Sequence, residues 1–437
     1  MTGPIIGTRP SQETGAALPG AHLTLVILAG AYLLSFIDRM IPALLIDPIR
    51  ADLGITDTQV SLLIGFAFAI VYTTAGVPIA WLADRWSRKG VLIAGIVIWG
   101  SMTAGCGLAT GFIQFFIGRM GVGLGEAALT PTAYALVTDL YPPQQRSRAM
   151  SVFVVGGAAG AGIALLAGAA VIDLAGTGGA LAPWRVALLL LGGLTLLTAL
   201  PISRIIEPPV SPGPRTAGND TLKSLIVALW RERGAFAPLF IAVPLMNLTL
   251  YGAGAWGPAV LTRVYHWDAV SAGTWLGGTQ VVLGIAGTVL FGWLGDRARR
   301  RGGVDQLLPM LAASCVIGAI AVGSLVVVDS AAAVILLLGA MTFATGSVGV
   351  LAPVALQAIT EPDSRARTAS LFLLVANLIG IGAGPSSIAL VTDQLFGRPE
   401  AVIDAVALVC MPGLVIGALV TWLFAKPYAD RARKLGN

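Results

Sequence analysis

Four charged residues stand where apolar helices ordinarily exclude charge: Asp38 and Arg39 in one hydrophobic stretch, Arg119 and Glu126 in another. An ion deep in a bilayer costs at least ~2.5–3.5 kcal/mol even on the gentlest insertion scale, so such residues mark a functional site by default. Arg119 and Glu126 are seven apart in sequence, two helical turns, and therefore share a face. Two acids and two bases that meet can neutralise one another, and the set changes character when one acid takes up a proton. Burial and a guanidinium neighbour act in opposite senses on a carboxylic acid, and a proton-coupled switch needs that balance. The same four residues also suit a permanent ion pair tying two helices together. Residue types alone leave both readings open.

The elements that must position these charges are membrane helices. Of the 437 residues 56% are apolar and only 11% charged, against about 25% charged in an ordinary soluble domain, so a soluble fold could not hide the surface. Cutting the chain where charge, Pro and polar residues cluster leaves apolar stretches long enough to cross a bilayer. They fall near 22–46, 60–83, 90–110, 112–140, 149–172, 184–203, 237–262, 272–295, 307–328, 331–358, 369–391 and 403–425. If both termini and every second loop share one side, about 21 of the 27 Lys and Arg lie there, and only Arg50, Arg185, Arg263 and Arg398 lie opposite. That bias predicts cytoplasmic termini and an even number of spans in a bacterial inner membrane. Residues 1–21 read as a cytoplasmic tail rather than a cleaved leader. Cys106, Cys315 and Cys410 sit singly in apolar stretches, where they act as small hydrophobes rather than as a disulfide or metal framework.

The spans repeat. Ala80-Trp-Leu-Ala-Asp-Arg-Trp-Ser-Arg-Lys89 is answered by Gly292-Trp-Leu-Gly-Asp-Arg297, with Arg299, Arg300 and Arg301 following, and Asp84 to Asp296 is an offset of 212. Pro143, Arg146, Arg148 and Ser151 recur as Pro362, Arg365, Arg367 and Ser370, 219 positions on. Two echoes with nearly one offset predict two six-helix units in parallel repeat. The expected layout is an N-terminal bundle over 22–204, a linker over 205–235, a C-terminal bundle over 236–425 and a cytoplasmic tail over 426–437. Inside the linker, Leu222, Leu225, Ile226, Leu229 and Trp230 fall at helical spacing, with Asn219 or Asp220 as cap, which reads as an interfacial amphipathic helix or a plain packed linker.

The first loop resembles the Gly-x-Leu-x-Asp-Arg-x-x-Arg-Lys signature of the major facilitator superfamily, with Ala80 and Ser87 in place of two glycines. Arg119-x-x-x-Gly123 resembles a second motif of that superfamily. The resemblance implies an all-α membrane protein of twelve helices in two pseudo-symmetric bundles that works as a secondary carrier rather than an enzyme. It also implies that the loop charges Asp84, Arg85 and Arg88, with Asp296, Arg297 and Arg300, latch the cytoplasmic helix ends in one state; topology retention is the simpler reading of the same charges. Phe36-Ile-Asp-Arg39, Gly121-Val-Gly-Leu-Gly-Glu-Ala127, Pro131, Asp139 and Arg146 together resemble the Spinster family of lysolipid and sphingolipid transporters. That resemblance implies proton-linked movement of a lysophospholipid-like amphiphile, with Asp38 and Glu126 as protonatable pair and Arg39 and Arg119 as counter-charges. It implies no cofactor beyond protons and a monomer among membrane lipids, with no nucleic acid.

The 212 offset carries Asp38 and Glu126 onto Leu250 and Leu338, so the second half lacks matching charges. It offers Asn247, Tyr251, Trp275, Gln280, Gln357 and Asn377 as cavity candidates, each of which is also an ordinary core or interface residue. A drug/proton antiporter or a small organic anion carrier fits the same fold, and a non-transporting membrane sensor remains a different class. His22 and His266 lie far apart, and neither a nucleophile elbow nor a metal-spaced cluster or phosphate loop is present, which argues against an enzyme.

Overall fold

Pro42 and Pro131 decide the local shape of the two charged spans. A proline inside a helix removes the bond to the carbonyl four residues back and crowds that carbonyl. In the computed structural model Pro42 lies within the helix Ala21–Leu44, so the disturbed carbonyl is that of Asp38. Pro131 stands in the same relation to Ala127, and there the fourth span breaks into Phe112–Glu126 and Leu129–Leu140. Glu126 is the last residue before the break. The structure describes residues 17–435 except 143–144, 147, 151, 154–159, 176–180, 206, 208–221 and 302.

Among the described residues, eleven helices are long and apolar enough to cross a bilayer: Ala21–Leu44, Asp57–Gly76, Arg88–Leu108, Phe112–Leu140, Pro183–Ser203, Arg233–Val264, Ala269–Arg300, Val304–Val327, Ala331–Ile359, Arg367–Phe396 and Pro399–Leu423. The helix Gly160–Ala175 takes the fifth place. We number the twelve as spans one to twelve in chain order. No strand occurs among the described residues. Spans seven and eight are 32 residues each, about 48 Å at 1.5 Å per residue, and so exceed the ~30 Å hydrocarbon layer. Hydropathy alone places their ends inside these limits because the overhanging turns carry Arg233, Arg297, Arg299 and Arg300. Span eight starts at an N-cap, where the Asp268 carboxylate accepts from the Ser271 N–H at 2.8 Å.

Each half has its own apolar core, one including Trp99, Phe115 and Trp184, the other Trp256, Leu276 and Tyr428. Among the described residues, the halves meet at several helix crossings, and glycines line two of them. Span five lies on span eight at Gly162 and Gly277, where a Cβ on either glycine would come within 2.7 Å of the other's carbonyl oxygen. Span two meets span eleven at Gly65, where a Cβ would stand 2.7 Å from the Ile381 carbonyl oxygen. Both partners are locally π-helical there, over Leu62–Phe66 and Leu378–Ala383, a form that recurs where helices are bent for function. In the linker, Leu222–Arg231 is a helix with Leu225 buried and Ile226 and Trp230 exposed; the cap candidates Asn219 and Asp220 lie outside the described residues.

Candidate functional site

The four intramembrane charges form two adjoining pairs rather than one knot. Arg119 Nη1 donates to Asp38 Oδ1 at 3.1 Å, while Trp99 Nε1 and Thr103 Oγ1 each donate to Asp38 Oδ2 at 2.5 Å. Both oxygens of Asp38 are therefore held by donors. Among the described residues Glu126 is held on one side only: Arg39 Nε at 2.8 Å, Arg39 Nη2 at 2.7 Å and Ser35 Oγ at 2.8 Å all reach Oε2, and buried Oε1 has no partner. Phe68 links the pairs, with the Arg39 guanidinium 4.8 Å and the Arg119 guanidinium 5.4 Å from its ring centroid, within cation–π range. Tyr72 stands 4.6 Å from the Arg39 guanidinium on the same span. Asp38, Arg119 and Glu126 are each at least 98% buried.

Close approach of the backbones makes this geometry possible. A Cβ at Gly123 would lie 2.5 Å from the Phe68 carbonyl oxygen, and one at Gly125 would lie 2.4 Å from that of Gly95. Glycine at both positions lets span four settle against spans two and three and turn Arg119 and Glu126 toward span one.

Beside the charges, at mid-depth between the halves, lies a cavity of about 290 Å³. Its first-half wall is Tyr32, Phe36, Met40 and Ala161. Its second-half wall includes Asn247, Leu250, Tyr251 and Gly254 of span seven, Gln280, Gly284 and Thr288 of span eight, and Thr342, Thr345 and Gly349 of span ten. A narrow crevice bordered by Arg39, Met40 and Tyr251 joins this wall to the Arg39–Glu126 pair. Sequence reasoning missed Tyr32, Phe36, Met40 and the three threonines, since such residues on apolar helices carry no signal apart from packing. Leu250, which the repeat offset sets opposite Asp38, does line the cavity.

Three expected cavity residues lie elsewhere. Trp275 is 63% exposed on the outer face of span eight, because five residues from Gln280 amount to about 140° of helix rotation. Gln357 is exposed, two turns beyond the cavity toward the end of span ten, and Asn377 is half-buried a turn before Gly380, the residue by which span eleven touches Asn247.

The loop charges also depart from the expected arrangement. Arg88 pairs with Asp139 inside the first half, and its backbone N–H donates to Glu207 at 2.5 Å while Ser87 Oγ donates to the same carboxylate at 2.6 Å. Arg85 stacks on Trp81 and Arg297 on Trp293, 4.0 and 5.3 Å from the ring centroids. Asp296, Arg297 and Arg300 are exposed, and among the described residues they form no ion pair. The Asp84 side chain lies outside the described set. Among the described side chains, Arg85, Asp296, Arg297 and Arg300 form no ion pair between the halves.

The halves are joined by charge at the opposite ends of the helices. Arg263 of span seven grips Asp57, Nη1 to Oδ2 at 2.6 Å and Nη2 to Oδ1 at 2.8 Å, and reaches Asp47 Oδ1 at 2.6 Å. Arg50 supports Asp57 at 3.2 Å, and Thr58 donates through both its N–H and its hydroxyl to Asp393 at 2.7 Å. Nothing in the sequence marks these residues, which read as ordinary loop charges.

Two repeated bundles, glycine-seamed helices and a mid-depth cavity agree with the family comparison, in which the Major Facilitator Superfamily model matches residues 28–385. The chain belongs to the Major Facilitator Superfamily. It is a multi-pass membrane transporter rather than an enzyme. An MFS-type efflux pump of Mycolicibacterium smegmatis is 27% identical over 435 residues, which are 97% of this chain and 96% of that one. Protein spinster homolog 1 of Rattus norvegicus is 30% identical over 257 residues, covering 56% of this chain and 47% of that protein. Among solved structures, a bacterial homologue of the human lysosomal transporter Spinster, described as inward-facing and unoccupied, superposes with a TM-score of 0.76 at 24% identity, covering 95% of this superfamily member and 97% of that chain.

Proposed function

We propose that this chain is a proton-coupled secondary carrier that moves a lysophospholipid- or sphingolipid-like amphiphile across a bacterial inner membrane by alternating access. The carrying observation is the asymmetry of the two buried acids beside the cavity. Asp38 has donors on both oxygens and acts as a fixed anion for Arg119. Among the described residues Glu126 has three donors on one oxygen and none on the other, so Oε1 can take a proton without displacing a donor. Protonation removes the charge that holds Arg39, and Arg39 borders the crevice leading to the cavity. Cargo and proton thus act on one guanidinium. The Spinster likeness supports an amphiphilic cargo, and a 14% identical neighbour of the same fold (TM-score 0.69) is described as a D-xylose-proton symporter.

On this reading the arginine-rich loop end is cytoplasmic, by the positive-inside rule, and the Arg263 network closes the periplasmic end. The carrier works as a monomer among membrane lipids, with protons as its coupling ion and no other cofactor. The test is uptake into proteoliposomes of lysophospholipids, sphingoid lipids and hydrophilic organic anions, with and without an imposed pH gradient. Saturable uptake of an amphiphile that follows the gradient is expected; binding without flux would instead indicate a sensor. The full-length match to an efflux pump favours a second reading, drug/proton antiport, in which lipophilic drug cations rather than lipids move against the gradient in the same assay.

A further inference from the structure

The cavity wall carries two amides with nothing to bond to. Asn247 is 9% exposed and Gln280 5% exposed, both line the cavity, and among the described residues neither side chain has a hydrogen-bond partner. Their polar atoms are not sealed in the protein interior but reach the cavity, so each amide, which carries donors and an acceptor, is available to a molecule that enters it. Thr288, Thr342 and Thr345 do not satisfy them, since their hydroxyls donate to carbonyls of their own helices at 2.9, 2.9 and 3.0 Å. Among the described residues, no charged side chain lines this cavity. The nearest cation, Arg39, borders the adjoining crevice and is already paired with Glu126.

We infer that Asn247 and Gln280 form a headgroup subsite for an uncharged hydrogen-bonding group, an amide or a hydroxyl pair, and that this subsite sets specificity. The inference rests on the alternating-access carrier reading but replaces its lysophospholipid cargo with amphiphiles whose buried polar group is neutral. An amide or diol offers donor and acceptor groups together, which the two side chains can answer between them, while Phe36, Met40 and Leu250 take the apolar portion. An anionic phosphate offers only acceptors and would find no free cation here. A site built to hydrogen-bond a group rejects an analogue that cannot answer it far more strongly than an apolar pocket rejects an extra methylene.

The experiment measures binding and gradient-driven uptake of three lipids with one acyl chain, a monoacylglycerol, an N-acylethanolamine and a lysophosphatidic acid, by the purified full-length protein and its proteoliposomes. Gln280→Leu and, separately, Asn247→Leu are compared with wild type, with monodispersity and thermal unfolding as folding controls. Wild type is expected to bind the two neutral lipids at least ~10-fold more tightly than lysophosphatidic acid, and either variant to lose at least ~10-fold for the neutral lipids while changing less than ~3-fold for the anion, consistent with loss of a paired polar contact. Preference of wild type for lysophosphatidic acid, or an equal loss across all three lipids, overturns the subsite. Gradient-driven uptake of the anion alone would leave the carrier reading standing and this inference refuted. Neutral-lipid binding lost in both variants without any gradient-driven flux would do the reverse.

Discussion

Asp38 and Glu126 are both buried carboxylates beside an arginine, yet their surroundings assign them different work. Glu126→Gln keeps the volume and removes a site for a proton; we expect uptake to continue in exchange mode while its response to pH flattens, measured as initial rate against pH in proteoliposomes. Asp38→Asn should behave differently. It turns an amide toward the donors Trp99 and Thr103 and strands Arg119, and breaking one side of a buried pair costs about 3–5 kcal/mol, so the expected result is a lowered unfolding temperature in detergent before any change in coupling. If Glu126→Gln retains wild-type pH dependence while Asp38→Asn loses it at unchanged stability, the assignment is reversed. All four charges were legible in the sequence because charge in an apolar span is rare and expensive. The division of roles proposed for them was not, since it rests on which oxygen each donor reaches, and Trp99 and Thr103 lie 61 and 65 residues from Asp38.

Helix contacts carry the next level of control, and glycines mark where backbones approach or where space is left. Gly349 of span ten faces the cavity, and a Cβ there would meet nothing within 4 Å. Gly349→Leu should therefore fold at least as well as wild type, since glycine within a helix costs roughly 0.5–1 kcal/mol relative to alanine, while abolishing cargo binding by filling the cavity. Equal binding to both proteins would show that cargo sits elsewhere. The start of span eight gives a pH-dependent case. Hydrogen bonds from Ser271 hold the Asp268 carboxyl below its ordinary value, so its contribution is present above the unfolded value near 3.9 and is lost as pH falls through the lower folded one. Asp268→Ala should cost about 1 kcal/mol at neutral pH, and thermal melts should converge with wild type in strong acid; a constant gap across pH would exclude a charge-dependent cap. The twelve spans were readable from hydropathy because each must bury an apolar face. The π-helical crossing of spans two and eleven was not readable, because it follows from contact between Gly65 and Ile381, more than 300 residues apart in the chain.

At the scale of the molecule, the two halves are pinned at one end by Arg263, Asp47 and Asp57, with Thr58 and Asp393 beside them. A carrier that alternates access must break the first set to expose its cavity on that side. Arg263→Gln removes the cation that two carboxylates share, one of them, Asp57, fully buried. The cost of a broken buried pair, about 3–5 kcal/mol, falls on the closed conformation alone, because in the open one the carboxylates meet water. A shift of that size changes the ratio of closed to open molecules by two decades or more, enough to bring a 99:1 population near parity. The three native cysteines are buried, so a single cysteine at Ala43, itself 3% exposed at the crevice beside Arg39, reports the opening when a membrane-impermeant maleimide is added from the far side. Ala43→Cys alone should label slowly, and Ala43→Cys with Arg263→Gln at least ~10-fold faster. Gly277→Leu, which drives a side chain into the Gly162 carbonyl, should accelerate labelling through the backbone seam instead. An unchanged rate in the arginine variant, with acceleration only in the glycine variant, would mean that the helix crossing and not the ion network holds this end shut.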